Sequence, residues 1–289
     1  EYRVEDAGNP TKTFFDTNAN YRIRGSIDLT SPNGSITLTI ATPFDIVWTK
    51  TGSIGNIKIE MSTDNFVGDV RTIIASYASA NSPYSWTPSA TVAPVINYAD
   101  MNADIVKIRL TSLGGIPVTD PSQNAFKIVG QITNVQPNSS ATVWYKGASQ
   151  NITWSQIGNI SAVNIYYRTS GGATPYDIPI VLNDTGHNNG ANSYTWYPVH
   201  DVNSEAVQIQ VLDKNNSLVL ASSTAAFAIR PTITVTSPIA SDRLVVGDTT
   251  QTNIIKWTKD GTTGNVKVLY DSGAGYLDPA NVIADNVPV

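Results

Sequence analysis

The sequence predicts an all-β chain built of tandem β-sandwich domains. Three observations carry that expectation. Apolar and polar residues alternate with period two in segment after segment, as in DIVKIRLTS (104–112) and EAVQIQVLD (205–213). Gly, Pro, Asn and Asp interrupt these segments roughly every 8 to 12 residues, and no stretch carries a helical stripe. The whole pattern then recurs along the chain.

The recurrence sets the expected organisation. A short phrase appears as YRIRG (21–25), FKIVG (126–130) and FAIRP (227–231). Each is followed by an alternating strand ending at a turn proline: SIDLTSPNG (26–34), QITNVQPNS (131–139) and TITVTSPIA (232–240). A Trp strand, a Gly and a Val/Ile strand come next, around Trp48, Trp154 and Trp257. YSWTP (84–88) and YTWYP (194–198) mark a third position, and 104–112 and 205–213 lead into the closing phrase. The chain thus divides into a tail (1–25, the last strands of a preceding repeat), two whole repeats (26–130 and 131–231) and the first half of another (232–289). About seven short strands in about 100 residues is the signature of an Ig-like or fibronectin-like sandwich. The joints Gly25–Ser26, Gly130–Gln131 and Pro231–Thr232 leave no linker, which predicts a linear rod. Trp48, Trp154, Trp257, Trp86 and Trp196 recur at fixed repeat positions and are expected in the cores.

Composition narrows the function classes. Charged residues are only 14% of the 289, against about 25% in an average soluble domain. Ser and Thr together number 58 and Asn 26, so neutral polar groups must build much of the surface. The net charge is −5, and the 18 Lys and Arg are scattered, which argues against nucleic acid as a partner. There is no Cys, hence no disulfide framework and no thiolate metal site. No apolar run approaches the ~18 residues of a membrane span. Residue 1 is Glu and the last repeat is incomplete, so the segment is expected to belong to something longer.

At these residues the chain resembles a known module. The strand ending Leu29-Thr-Ser-Pro-Asn-Gly34, the Ile152-x-Trp154 strand, the strand from Ile57 to Asp64 ending Ser-Thr-Asp, the Tyr-x-Trp strand and the closing Phe-x-Ile-x-Gly form an ordered set. This set is similar to the Ig-like repeat of the Ser/Thr-rich GPI-anchored membrane protein family. That family is related to the N-terminal domain of fungal cell-wall glucan-assembly proteins, and bacterial and archaeal surface proteins string the module in tandem. The resemblance covers nearly the whole chain. The second repeat departs from it at the longer Asn/Gly-rich segment 171–193. The resemblance implies an extracellular or cell-surface location, a structural or binding role, and no catalytic residues.

Candidate chemistry is sparse. His187 and His200 are the only histidines, neither is followed by a metal ligand three or four positions on, and no catalytic signature accompanies them. They read as loop residues, and no enzyme is expected. Asp100-Met-Asn102-Ala-Asp104 and Asp201-Val-Asn203-Ser-Glu205 occupy one repeat position. Alternate oxygens could hold Ca²⁺ at the joints, but the Gly and Glu of a full calcium loop are missing, and an Asx-turn explains the pattern as well. No other cofactor is expected. Trp144, outside the repeated Trp positions, and Tyr166-Tyr167 are the candidates for an interface or carbohydrate contact. Asn33, Asn138, Asn151, Asn159, Asn183 and Asn215 head N-x-S/T sequons and are candidate glycosylation sites.

The expected function is therefore a non-catalytic structural protein of the cell surface: a segment of a tandem-repeat stalk, fibre, filament or sheath. Its expected partners are neighbouring repeats or copies of itself, because neutral faces and strand edges can associate without like-charge repulsion. An adhesin or carbohydrate-binding array facing a cell-wall or surface glycan, and the accessory region of a secreted hydrolase, are the alternatives.

Overall fold

The computed structural model describes residues 3–8, 14–16, 24–170, 175–244, 247, 254–271, 273 and 281–289. The chain forms two compact units, Glu1–Val129 and Gly130–Val289. Among the described residues no helix is long and apolar enough to cross a membrane.

The first unit opens with an antiparallel pair, β1 (Arg3–Glu5) and β2 (Phe14–Asp16). The phrase at Tyr21–Ile23 lies outside the described residues. Nine strands follow: β3 (Ser26–Ser31), β4 (Thr37–Thr39), β5 (Phe44–Thr51), β6 (Asn56–Ser62), β7 (Arg71–Ala78), β8 (Tyr84–Trp86), β9 (Asp104–Ser112), β10 (Thr119–Pro121) and β11 (Phe126–Val129). One sheet has the order β3-β5-β8 and the other β4-β11-β9-β6-β7, with β10 on β9. All pairings are antiparallel except β4 with β11. The sequence alternation becomes an inside and an outside. On β9, Val106, Ile108 and Leu110 are fully buried, and Leu29, Ile46 and Trp48 face them from the other sheet. Trp48 is held there by its own donor, Nε1 giving 2.8 Å to the Ser79 carbonyl.

The second unit repeats this plan with β12 (Gln131–Gln136), β13 (Val143–Tyr145), β14 (Gln150–Ile157), β15 (Ala162–Arg168), β16 (Ile178–Thr185), β17 (Gly190–Trp196), β18 (Ser204–Asp213), β19 (Leu220–Ser222) and β20 (Phe227–Arg230). Its sheets are β12-β14-β17 and β13-β20-β18-β15-β16, with β19 on β18. The remainder holds β21 (Thr232–Ser237) paired with β22 (Lys256–Asp260), and β23 (Val266–Leu269) paired with β24 (Val282–Val287).

Three details recur beyond the strand order. The turn prolines Pro32, Pro137 and Pro238 all follow cis peptide bonds. The asparagine after the first two does one job twice: Asn33 Oδ1 accepts from Gln123 N and Asn138 Oδ1 from Ala225 N, each at 2.6 Å. Finally, β7, β16 and β24 each carry two extra residues relative to their partner strands. Between Ile57↔Tyr77 and Glu60↔Thr72, between Val163↔Asp184 and Tyr166↔Pro179, and between Val266↔Val287 and Leu269↔Val282, the bulges fall at matching places.

The closing glycines have a different role from the one their place in the phrase suggests. A Cβ on Gly25 would stand 2.6 Å from the Thr51 carbonyl oxygen, and one on Gly130 would stand 2.8 Å from that of Ile157. Each glycine thus fits against the end of the third strand of the repeat that follows it, β5 or β14. Only a residue without a side chain allows the backbone so near.

One buried group is poorly matched. Asp213 ends β18 where Ser112 ends β9. It is 1% exposed; Oδ1 accepts from Asn215 N at 2.9 Å, but Oδ2 has no hydrogen-bond partner among the described residues. Burial pushes this carboxyl above the usual aspartate range. A raised folded-state value means stability is lost as pH rises from the ordinary aspartate range through that value. Asp213→Ser is therefore expected to stabilise the second unit by about 1–2 kcal/mol at neutral pH. The gain should shrink by about pH 3, where the carboxyl is neutral in both states. Urea denaturation at the two pH values checks this.

Candidate functional site

The residues singled out in the sequence do not gather at one place. Asp100 accepts from Asn97 Nδ2 at 3.1 Å and lies 3.7 Å from Arg71 Nη2. Asn102 takes a left-handed backbone, φ 69°, and its N–H donates to the Ile128 carbonyl. Asp104 pairs with Lys127 at 3.5 Å. In the second repeat Glu205 forms a two-pronged pair with Arg230 at 2.8 and 3.0 Å. The carboxylates of Asp100, Asp104 and Glu205 thus turn to separate protein partners. Among the described residues no group of three His, Cys, Asp or Glu side chains is placed to hold a metal ion. Chelation is expected to leave the melting temperature unchanged, which calorimetry with and without a chelator reads directly.

Asp201 has the most specific arrangement. Its Oδ1 accepts from Thr262 N at 2.9 Å and its Oδ2 from Thr262 Oγ1 at 3.0 Å. Beside it Lys146 pairs with Asp260. Between Asp260 and Thr262, Gly261 sits at φ 105°, where a Cβ would lie 2.9 Å from both Asp201 Oδ1 and Pro231 Cβ. This is a clasp between the second repeat and the strands that follow it, within one compact unit. The Thr262 N–H holds the Asp201 carboxyl below the usual range, and Asp260 raises Lys146. A depressed aspartate contributes above its unfolded value and is lost as pH falls through its folded one. The clasp should therefore persist at neutral pH, its Asp201 half opening in strong acid and its Lys146–Asp260 half weakening in strong alkali. Asp201→Ala is expected to speed hydrogen exchange at the Thr262 amide with little change at Trp154, as amide exchange by NMR would show.

The aromatic candidates need correcting. Trp144 is not exposed; it is 6% accessible, with Phe227 at 4.8 Å and Trp196 at 6.1 Å between ring centroids. Its strand β13 lies beside β20, which sets Trp144 opposite Ile229 as Leu38 is set opposite Ile128. Trp144 is therefore the core residue of that short strand. Tyr167 is 5% accessible and takes the position of Met61, with Trp196 at 5.2 Å. Only Tyr166, half-buried opposite Gln210, faces outward. Neither Trp144 nor Tyr167 can serve as a stacking platform for a sugar.

The histidines pack on core tryptophans. His187 lies edge-on to Trp154 at 4.7 Å and its Nε2 is 2.7 Å from Asp184 Oδ2, a partner three residues earlier. His200 lies 5.1 Å from the Trp196 ring and 3.3 Å from the Tyr167 hydroxyl. Of the sequon asparagines, Asn33, Asn138, Asn151 and Asn183 accept hydrogen bonds through Oδ1, Asn215 donates Nδ2 to Ser161, and Asn159 is exposed.

A feature not anticipated is the sheet β12-β14-β17. None of its residues is charged, whereas β3-β5-β8 carries Asp28, Asp45 and Lys50. Its outer face holds a shallow groove of about 580 Å³, lined by Asn134, Gln136, Thr153, Ser155, Ala191, Asn192 and Ser193, with the buried Trp154 beneath.

The repeats are Ig-like. Two antiparallel-built sheets, with the parallel β4-β11 and β13-β20 contacts closing one edge, define that architecture. No protein-family description matches the chain, and no curated protein matches it in sequence. Among solved structures, the fibronectin(III)-like modules of CbhA from Clostridium thermocellum are similar at 13% identity and TM-score 0.26, over 71% of this chain and 94% of that one. The insect immune protein hemolin is similar at 10% identity and TM-score 0.34, over 74% of this chain and 48% of that one. The titin domains z1z2, solved with telethonin, are similar at 12% identity and TM-score 0.23, over 73% and 98%. Likeness at this level says nothing about function.

Proposed function

We propose that this chain is a non-catalytic structural segment of an extracellular, cell-surface protein, a stalk or fibre of Ig-like repeats of the kind found in the Ser/Thr-rich GPI-anchored family. The observation that carries the reading is the clasp. Consecutive repeats meet at Pro231–Thr232 without a linker, and Asp201 and Lys146 of one hold Thr262 and Asp260 of the next. Such a joint resists bending and suits a load-bearing array better than a freely hinged one. The low charge fits association with like copies. Electron microscopy and small-angle scattering of the purified chain test it. Elongated particles that assemble further support the reading. Compact particles that never associate, or turnover of a glycan or peptide substrate, overturn it.

The groove on β12-β14-β17 favours a second reading, contact with a surface glycan. Neutral amides and hydroxyls suit sugar hydroxyls. The one aromatic residue in its lining, Trp154, is buried, which places this reading second.

A further inference from the structure

We infer that the outer edge of β17 is an association surface for a second copy of this chain, joined edge to edge as an antiparallel strand pair. The inference rests on the structural reading above and names the surface it would use.

Sheet edges are dangerous because their free N–H and C=O groups template pairing with another strand, and folded proteins blunt them with charges, prolines, bulges or shortness. Among the described residues of the two whole repeats, every other sheet edge is blunted. Strands β4, β8, β10, β13 and β19 have three residues each. Strands β3 and β12 slip register before their ends, and β7 and β16 carry two bulges apiece. Strand β17 escapes all of these. It pairs with β14 without interruption from Gln156↔Gly190 to Gln150↔Trp196, and among the described residues no strand lies on its other side. Its counterpart in the first repeat, β8, spans only Tyr84–Trp86. The lengthened segment of the second repeat thus yields an open edge where the first has almost none.

The chemistry of that edge selects the occupant. The strand contains no charge and no proline, and the whole sheet behind it is uncharged. Asp184 lies near Tyr194 and is already paired with His187. On a chain of net charge −5, this neutral strip is where two copies approach without repulsion. Asn192 Nδ2 closes the Gly190 carbonyl, so the open stretch begins at Ala191. Ala191, Ser193 and Thr195 point outward and are small. A two-fold pair centred on Ser193 sets each Ser193 against its mate and Ala191 against Thr195 on the outer face, and Asn192 against Tyr194 on the other, with no charged group opposed.

The test uses the whole chain, which has no cysteine of its own. Sedimentation equilibrium should show a reversible dimer. Ser193→Lys should weaken it roughly tenfold or more, because like charges then face each other across the pair. Ala75→Lys, on the bulged edge of β7, should leave it unchanged. Ser193→Cys should yield a disulfide-linked dimer under mild oxidation, with melting temperature and circular dichroism preserved. A chain that stays monomeric and does not cross-link overturns both the inference and the self-association in the structural reading. Association that ignores Ser193→Lys and gives no cross-link overturns the inference alone. Glycan binding abolished by Ser193→Lys, without a dimer, assigns the surface to carbohydrate and also overturns it.

Discussion

Trp144→Ala is expected to destabilise the second unit by about 3–5 kcal/mol, the cost of removing a large buried aromatic. The ring sits on β13 among Phe227, Trp196 and, through Trp196, Tyr167 and His200. That cluster fills the space that Leu38 and Met61 help fill in the first repeat. Alanine would leave a hole that the neighbouring rings cannot close without leaving their packed geometry. The adjacent Tyr145, 46% exposed, is the control: Tyr145→Ala should cost no more than about 0.5 kcal/mol. Denaturant unfolding followed by tryptophan fluorescence separates the two. Equal, small effects would show that Trp144 lies at the surface after all.

Gly130→Ala is expected to cost about 1–3 kcal/mol, because one added methyl must displace backbone rather than a pliant side chain. Its Cβ would stand 2.8 Å from the Ile157 carbonyl oxygen and 3.2 Å from Ile160. The same change at Gly264, where nothing lies within 4 Å, should be neutral or slightly stabilising. Melting temperatures of the two variants check the contrast. The third repeat has Pro231 at this place, and there the strain is relieved on the other side: Gly261 supplies the space.

The strands that follow period two are legible in the residue pattern itself. Strands β5, β6, β9 and their copies in the second repeat bury every second residue along much of their length, and the repeated tryptophans Trp48, Trp86, Trp154 and Trp196 are in the cores as expected, whereas Trp257, on β22, is only half-buried. Other strands are hidden for physical reasons. A three-residue strand such as β13 is too short to show a period, so Trp144 reads as an outlier in the sequence. The bulges of β7 and β16 break alternation and set Ile73 beside Ile74 and Ile180 beside Val181. The aspartate motif stands out along the chain, but its chemistry does not. The partner of Asp201 is Thr262, and only folding brings them together. The uncharged sheet is likewise assembled from three separate segments, and the composition of no single one stands out.

The paired bulges of β7, β16 and β24 have a consequence for where such a chain can survive. Lysine gatekeepers lose their force in brine, where counterions screen them, and acidic ones lose it when protonated. A kinked strand refuses a stranger by shape, and shape has no titration curve. The bulged edges of this chain therefore stay closed to pairing across salinities and acidities that would disarm an edge guarded by charge.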